Sequence, residues 1–299
     1  LTKNYENFPV VDNLSIEMLD SSFALLGPNG AGKTTTLLML LGLIKPTSGS
    51  MFIFNLDVLN HSVIINEKIG YLPENLGYYS NITGREHLTL FCNVREYNHN
   101  IHEEVESSLN WCGINQRFWD KKVKIYSQGM LQRLGLAVAF IGNPKLVILD
   151  EPLSNIDPLG RIDIINKIKL KQNQGVNILI SSHIIHDVEQ IVGSICILNK
   201  GKLQLFGDVL DLAREFDFNE FEIRISQSYE EANTLKEVYD LMIGEKDLLL
   251  DKPILLDDKI IFKSNSMEEI KKVIPEFKNS NIRPLVGTLE KIYHKTMRC

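Results

Sequence analysis

Residues 27–35 read GPNGAGKTT, placing Gly27, Pro28, Asn29, Gly30, Ala31, Gly32, Lys33, Thr34 and Thr35 in succession. A stretch so poor in side chains makes no core contact of any size, so its value lies in its backbone and in Lys33 and Thr34. The spacing GxxxxGK[ST] is that of a phosphate-binding loop. Backbone N–H groups at a helix N-terminus bind phosphate oxygens, Lys33 adds a point charge on the β- and γ-phosphates, and the Thr34 hydroxyl is a ligand for Mg²⁺.

A second constellation, LVILDEP, occupies residues 146–152. Two acids at the end of an apolar strand suit phosphoryl chemistry: Asp150 holds Mg²⁺ through water, and Glu151 orients or deprotonates an attacking water. Shortly before it, YSQGM at 126–130 sets Ser127 and Gly129 at the start of a long helix. A hydroxyl and bare N–H groups there can receive another anion, although on its own this reads as a well-capped helix.

These residues need elements to hold them. SSFALLG (21–27) reads as an apolar strand running into the glycine loop, and TTTLLMLLGLI (34–44) as a helix buried on most sides, ended by KPTSG through Pro46 and Gly49. MFIFN (51–55) and KIGYLP (68–73) read as strands. Thr83 and Glu86 have capping-box spacing, opening a helix through Tyr97. Residues 83–143 carry helical patterns throughout, a helical subdomain. The unbroken apolar run Leu146 to Leu149 suits a central parallel strand, and VNILISSH (176–183) repeats it after a helix from Leu159 to Lys171. Strand and helix in alternation imply an α/β, doubly wound parallel sheet.

From residue 215 the order becomes strand, helix (YEEANTLKEVYDLM), hairpin, helix (SMEEIKKVIPEF), strand, which is that of a ferredoxin-like unit. Two domains are expected, 1–214 and a small α+β domain at 215–299. A net charge of −6 argues against a protein that grips nucleic acid through a broad basic face. Cys92, Cys112, Cys196 and Cys299 are scattered and form no CxxC pair, which disfavours zinc and a disulfide framework. No apolar run is long enough to cross a bilayer. The start at Leu1 is read as a trimmed N-terminus without a signal segment.

Taken together, the motifs resemble those of an ATP-binding cassette (ABC) ATPase. GPNGAGKTT matches the Walker A loop, YSQGM the signature LSGGQ, LVILDEP the Walker B strand, SNIDP (154–158) the D-loop and SSH (181–183) the switch histidine, all in the family's order. The resemblance implies a P-loop NTPase fold: a RecA-like parallel sheet core with an N-terminal antiparallel β subdomain and a helical subdomain. It implies ATP and Mg²⁺ as cofactors, bound by the loop residues Gly27 to Thr35, with Thr34 and Asp150 on the metal. Glu151 would be the general base, His183 the γ-phosphate contact, Tyr5 the adenine stack and Asp157 part of the cross-dimer communication. Ser127, Gln128, Gly129 and Met130 would come from a second subunit, a homodimer being expected.

The chain departs from the family pattern at several places. Tyr126, Gln128 and Met130 replace leucine, glycine and glutamine of the signature, and the Q-loop GYLPE carries Glu74, a carboxylate near the metal and a legitimate oxygen ligand. Glu74, the YSxGM signature, the small C-terminal domain and the tail TLEKIY (288–293) are similar to the ATPases of ABC-2 type exporters, which include drug-resistance systems. The implied function is a motor coupling ATP hydrolysis to substrate movement through a separate multi-span membrane permease, the subunit being cytoplasmic and peripheral on the membrane's cytoplasmic face. Rival classes fit less well. A non-transport cassette for DNA repair, chromosomes or ribosomes would bring zinc modules, long coiled coils or a second cassette. A module that binds ATP without turnover would lack Glu151 or His183. His99 and His102 in NHNIH have metal-like spacing but sit in a polar segment read as a loop without a third ligand.

Overall fold

The computed structural model describes the chain except residues 7, 19–21, 96–99, 155, 217, 225–228, 245–248, 257–258, 265–269, 271–281, 286 and 299. Two compact units form, Leu1–Phe206 and Gly207–Cys299. The division falls before 214 because helix α8 (Val209–Glu215), capped by Asp208, buries Leu210 and Ala213 in the same core as Phe221 and Phe262. The helix thus belongs with the strands that follow it.

In the first unit, β3 (Ser22–Leu26), β6 (Ile69–Leu72), β7 (Leu146–Asp150), β8 (Asn177–Ser182), β9 (Ser194–Asn199) and β10 (Lys202–Asp208) form one sheet in the order β10-β9-β3-β8-β7-β6. The pairs β3/β8, β3/β9, β7/β8 and β6/β7 are parallel. β3 and β7 are buried along their whole length, as unbroken apolar runs require when both faces are covered. A short antiparallel pair, β1 (Lys3–Tyr5) and β2 (Phe8–Val11), precedes the sheet.

Two local expectations are corrected. Helix α1 (Lys33–Leu40) stops well before Pro46, because Gly42 at φ 69 reverses the chain and its N–H reaches Met39 O at 2.9 Å. MFIFN is not one strand: β4 (Phe52–Ile53) turns through Phe54 and Asn55, both left-handed, into β5 (Leu56–Asp57), a two-residue hairpin turn. Helix α2 (Val58–Asn66) follows.

The helical subdomain consists of α3 (Gly84–Val94), α4 (Ile101–Trp111) and α5 (Gln128–Phe140), with two 3₁₀ turns between α4 and α5, around a core that includes Leu88, Val105, Leu109 and Leu134. The Thr83–Glu86 capping box is complete. α3 ends at Val94, and Tyr97 and His99 lie outside the described residues. His102 stands on the exposed face of α4, 3.6 Å from Glu106, and not in a loop. α5 lies so close to β6 that a Cβ on Gly70 would be 1.7 Å from Ala139 O. Gly70→Ala is therefore expected to destabilise the unit by at least the ~1–3 kcal/mol of an overpacked core, read as a lower urea midpoint.

After α6 (Pro158–Asn173), α7 (Ile185–Val188) and the last strands of the sheet comes the second unit. Its strands β11 (Glu220–Arg224), β12 (Ile254–Leu255), β13 (Lys259–Lys263) and β14 (Ile282–Pro284) pair antiparallel in the order β12-β13-β11-β14. With α9 (Tyr229–Gly244) between β11 and β12, this is the strand order of a split βαβ unit. Phe221, Ile223, Ile260 and Phe262 alternate into its core, while Glu222 is buried against Lys259 at 3.0 Å. The segment SMEEIKKVIPEF lies outside the described residues except for Ile270, which is buried. TLEKIY forms the start of α10 (Thr288–Arg298), with Leu289 and Ile292 buried.

Candidate active site

The phosphate loop joins β3 to α1 at the carboxyl edge of the parallel sheet. A Cβ on Gly27 would be 2.3 Å from Leu198 O, and one on Gly32, at φ 101, would be 2.6 Å from Val10 O. Those two close approaches are what the glycines permit. Gly32 caps α1 without a side-chain acceptor, so the first N–H groups of the helix keep their donors for an anion. Lys33 is buried, and its Nζ donates to Gly27 O at 2.8 Å and to Pro28 O at 3.3 Å. Asn29 and Gly30 are exposed at the tip, and Thr34 and Thr35 are half-buried.

The acids arrive on β7. Asp150 is fully buried; its Oδ1 accepts the Ser181 hydroxyl, while no donor within hydrogen-bonding geometry reaches Oδ2. Burial pushes this carboxyl above its ordinary range, and the Ser181 and Thr34 hydroxyls oppose that shift. A buried, unpartnered carboxylate oxygen beside a threonine hydroxyl is a hard oxygen donor set that fits Mg²⁺. Among the described residues no cluster of three or more His, Cys, Asp and Glu side chains could hold a metal without such help.

Glu151 sits at φ 49, a left-handed conformation that costs a residue with a Cβ of order 1–3 kcal/mol. The turn aims its carboxylate at two other motifs. Oε1 is 3.2 Å from Lys33 Nζ, an ion-pair contact, and Oε2 is 2.8 Å from His183 Nδ1. The His183 side chain is 44% exposed, leaving its ring partly open to solvent. Three residues distant in the chain thus meet because β3, β8 and β7 are neighbours in the sheet.

Ser127 caps α5, accepting from Met130 N at 3.3 Å, with Gln128 exposed and open space around Gly129. Among the described residues no hydrogen bond or ion pair joins Ser127 or Gly129 to Lys33, Asp150 or Glu151 of the same chain. Tyr126 has a structural reason for replacing leucine: it is buried in the helical subdomain, and its hydroxyl donates to Phe118 O at 2.8 Å over Gly84. Glu74 is exposed just after β6; together with Asp150 it pushes the half-buried Tyr71 hydroxyl up to about 12, burial being the larger cause. Asp157 caps α6 by accepting from Gly160 N at 3.2 Å, and its neighbour Asn155 lies outside the described residues. Tyr5 is 48% exposed on β1, and Lys3 Nζ lies over its ring, 4.9 Å from the centroid.

Two residues emerge here that spacing did not point to. Gln132, buried on α5, donates to Pro152 O at 2.9 Å and ties the helix behind Ser127 to the residue after Glu151. Ser181 touches both acids. Neither a glutamine inside an apolar helix nor a serine at a strand end carries a local signal.

A family model described as ABC transporter matches residues 12–154. The uncharacterised ABC transporter ATP-binding protein YxlF of Bacillus subtilis is 36% identical, the match covering 77% of this chain and 76% of that protein. The bacitracin transport ATP-binding protein BcrA of Bacillus licheniformis is 40% identical over 68% of this chain and 66% of its own length. A solved ATP-binding subunit of an ABC transporter superposes with a TM-score of 0.66 at 27% identity, covering 73% of this chain and 91% of that one.

Proposed function

The chain belongs to the ABC transporter ATP-binding family, and from that premise we propose how its residues divide the work of an ATP-hydrolysing motor subunit. The observation that carries the reading is the meeting of Lys33 and His183 on the Glu151 carboxylate. Such subunits act in pairs on membrane permeases, and among the described residues no helix of this chain is long and apolar enough to cross a membrane.

The phosphate loop, Gly27 to Thr35, receives the β- and γ-phosphates, with Lys33 turning from its loop carbonyls to the incoming charge. Thr34 and Asp150 would hold Mg²⁺, with the Glu74 carboxylate as a further candidate oxygen ligand, and the ion would neutralise charge on the phosphate oxygens. Tyr5 stacks on the adenine. Glu151 accepts a proton from the attacking water as the new P–O bond forms and the bond to the ADP oxygen breaks. His183, held by Glu151, faces the γ-phosphate. Ser127 and Gly129 act on the nucleotide of a second copy, as does Asp157 in communication between the two.

His183→Ala is expected to lower turnover by about 10²-fold, as for removal of one donor to developing charge, with ATP binding retained. Steady-state phosphate release and equilibrium nucleotide binding, measured side by side, check it. The similarity to BcrA, which is named for bacitracin transport, supports a transport role, and we infer an exporter acting as a homodimer at the cytoplasmic face of the membrane. Purification of the tagged chain from native membranes tests that assignment: a co-purifying multi-span protein is expected, and recovery of the ATPase alone contradicts it.

A further inference from the structure

We propose that Ser181 is the positioning residue of this site, a single hydroxyl that aims both Asp150 and Glu151. The inference rests on the ATPase reading above. Ser181 is completely buried on β8, in register with Asp150 of β7 on one side and with Leu25 of β3, just before the phosphate loop, on the other. Its hydroxyl has one hydrogen to give and lone pairs to receive with. The hydrogen goes to Asp150 Oδ1, and the oxygen accepts Glu151 N–H at 3.0 Å.

Each bond has a consequence for geometry. With Oδ1 committed, the Asp150 carboxylate is held in one rotation, and Oδ2 is the oxygen left for a cation. With its N–H drawn to the same hydroxyl, and more weakly to Ser181 O at 3.3 Å, Glu151 is held in the left-handed turn that carries its carboxylate to Lys33 and His183. The next residue, Ser182, closes a turn by accepting from Ile184 N at 2.9 Å, which sets the backbone on either side of His183. Ser181 touches none of the reacting groups of ATP; it acts through the two acids. Residues one bond behind a metal ligand or base typically control metal affinity or rate by about 10–100-fold.

The test compares wild type with Ser181→Ala, Ser181→Cys and Ser181→Thr. Turnover and KM for ATP are measured, together with Mn²⁺ binding by electron paramagnetic resonance in the presence of the slowly hydrolysed analogue ATPγS, and the melting temperature without nucleotide. Ala removes the hydroxyl, Cys keeps its volume with only a weak donor, and Thr keeps the donor. The expected result is a fall in kcat and in Mn²⁺ affinity of about 10–100-fold for Ala and Cys, with KM for ATP nearly unchanged, Cys melting close to wild type, and Thr recovering both losses. Wild-type Mn²⁺ affinity and kcat in the Cys variant would overturn the proposal, since volume alone would then suffice. Failure of Thr to recover either loss would do the same. A wild type that hydrolyses no ATP would sink the ATPase reading itself, a result distinguishable from the other two.

Discussion

Glu151→Gln is expected to reduce steady-state ATP turnover by about 10²–10⁴-fold, the usual contribution of a positioned general base, while ATP binding persists. The substitution keeps the shape of the side chain and removes only its charge and basicity. Glutamine can still reach His183, but it cannot take a proton from water and no longer pairs with Lys33 at 3.2 Å. Lys33 keeps its bonds to Gly27 O and Pro28 O, so the loop does not lose its lysine. Removing one negative charge from a buried site that must receive the γ-phosphate also lowers the repulsion between protein and nucleotide. The variant is therefore expected to hold ATP at least as tightly as wild type and to stay paired in its presence. Phosphate release, nucleotide binding and sedimentation in ATP measure the three parts. Equal turnover in wild type and variant would remove Glu151 from the mechanism.

Lys33→Ala has a different signature, because it strikes binding and folding together. Hydrogen bonds to charged groups contribute about 1.5–3 kcal/mol, so ATP affinity is expected to fall by about 10–100-fold, while AMP, which lacks the β- and γ-phosphates, binds without loss. Glu151 is only 6% exposed and would keep His183 but lose its cation. Breaking one half of a buried pair costs up to about 3–5 kcal/mol, and the remaining histidine moderates that figure here. The double variant Lys33→Ala/Glu151→Gln should recover much of the lost stability without recovering turnover. That non-additivity is the measure of the ion pair. Urea denaturation of the four proteins closes the cycle, and strict additivity would show that the contact contributes nothing.

The chemistry of this site was legible where it is local in the chain. GPNGAGKTT, LDEP and SSH carry their chemistry in a few consecutive residues. What periodicity and spacing do not convey is which motif touches which. Lys33, Glu151 and His183 meet only because the sheet places β8 between β3 and β7, a result of strand order and not of any local pattern. The bonding of Ser181, within SSH, and of Gln132 was not legible for the same reason, since each acts through a partner on another element.

The fold shows a similar limit. Buried strands were readable from unbroken apolar runs, but ends depend on backbone conformation: Gly42 stops α1 before Pro46, and Asn55 turns MFIFN into a hairpin. Helix α8 looks like the close of the first domain by position, yet its apolar side faces the second core. Tyr126 departs from the family signature for packing reasons, filling space that Gly84 leaves open.

The central claim is that one copy supplies Lys33 and Glu151 and another supplies Ser127 to each working ATP site. Mixing two inactive variants, Glu151→Gln and Ser127→Arg, tests it most directly by phosphate release. In a symmetric pair the mixed dimer contains one intact site and one doubly broken site, so an equimolar mixture should recover up to about a quarter of wild-type turnover. A mixture as inactive as either variant alone would contradict the account.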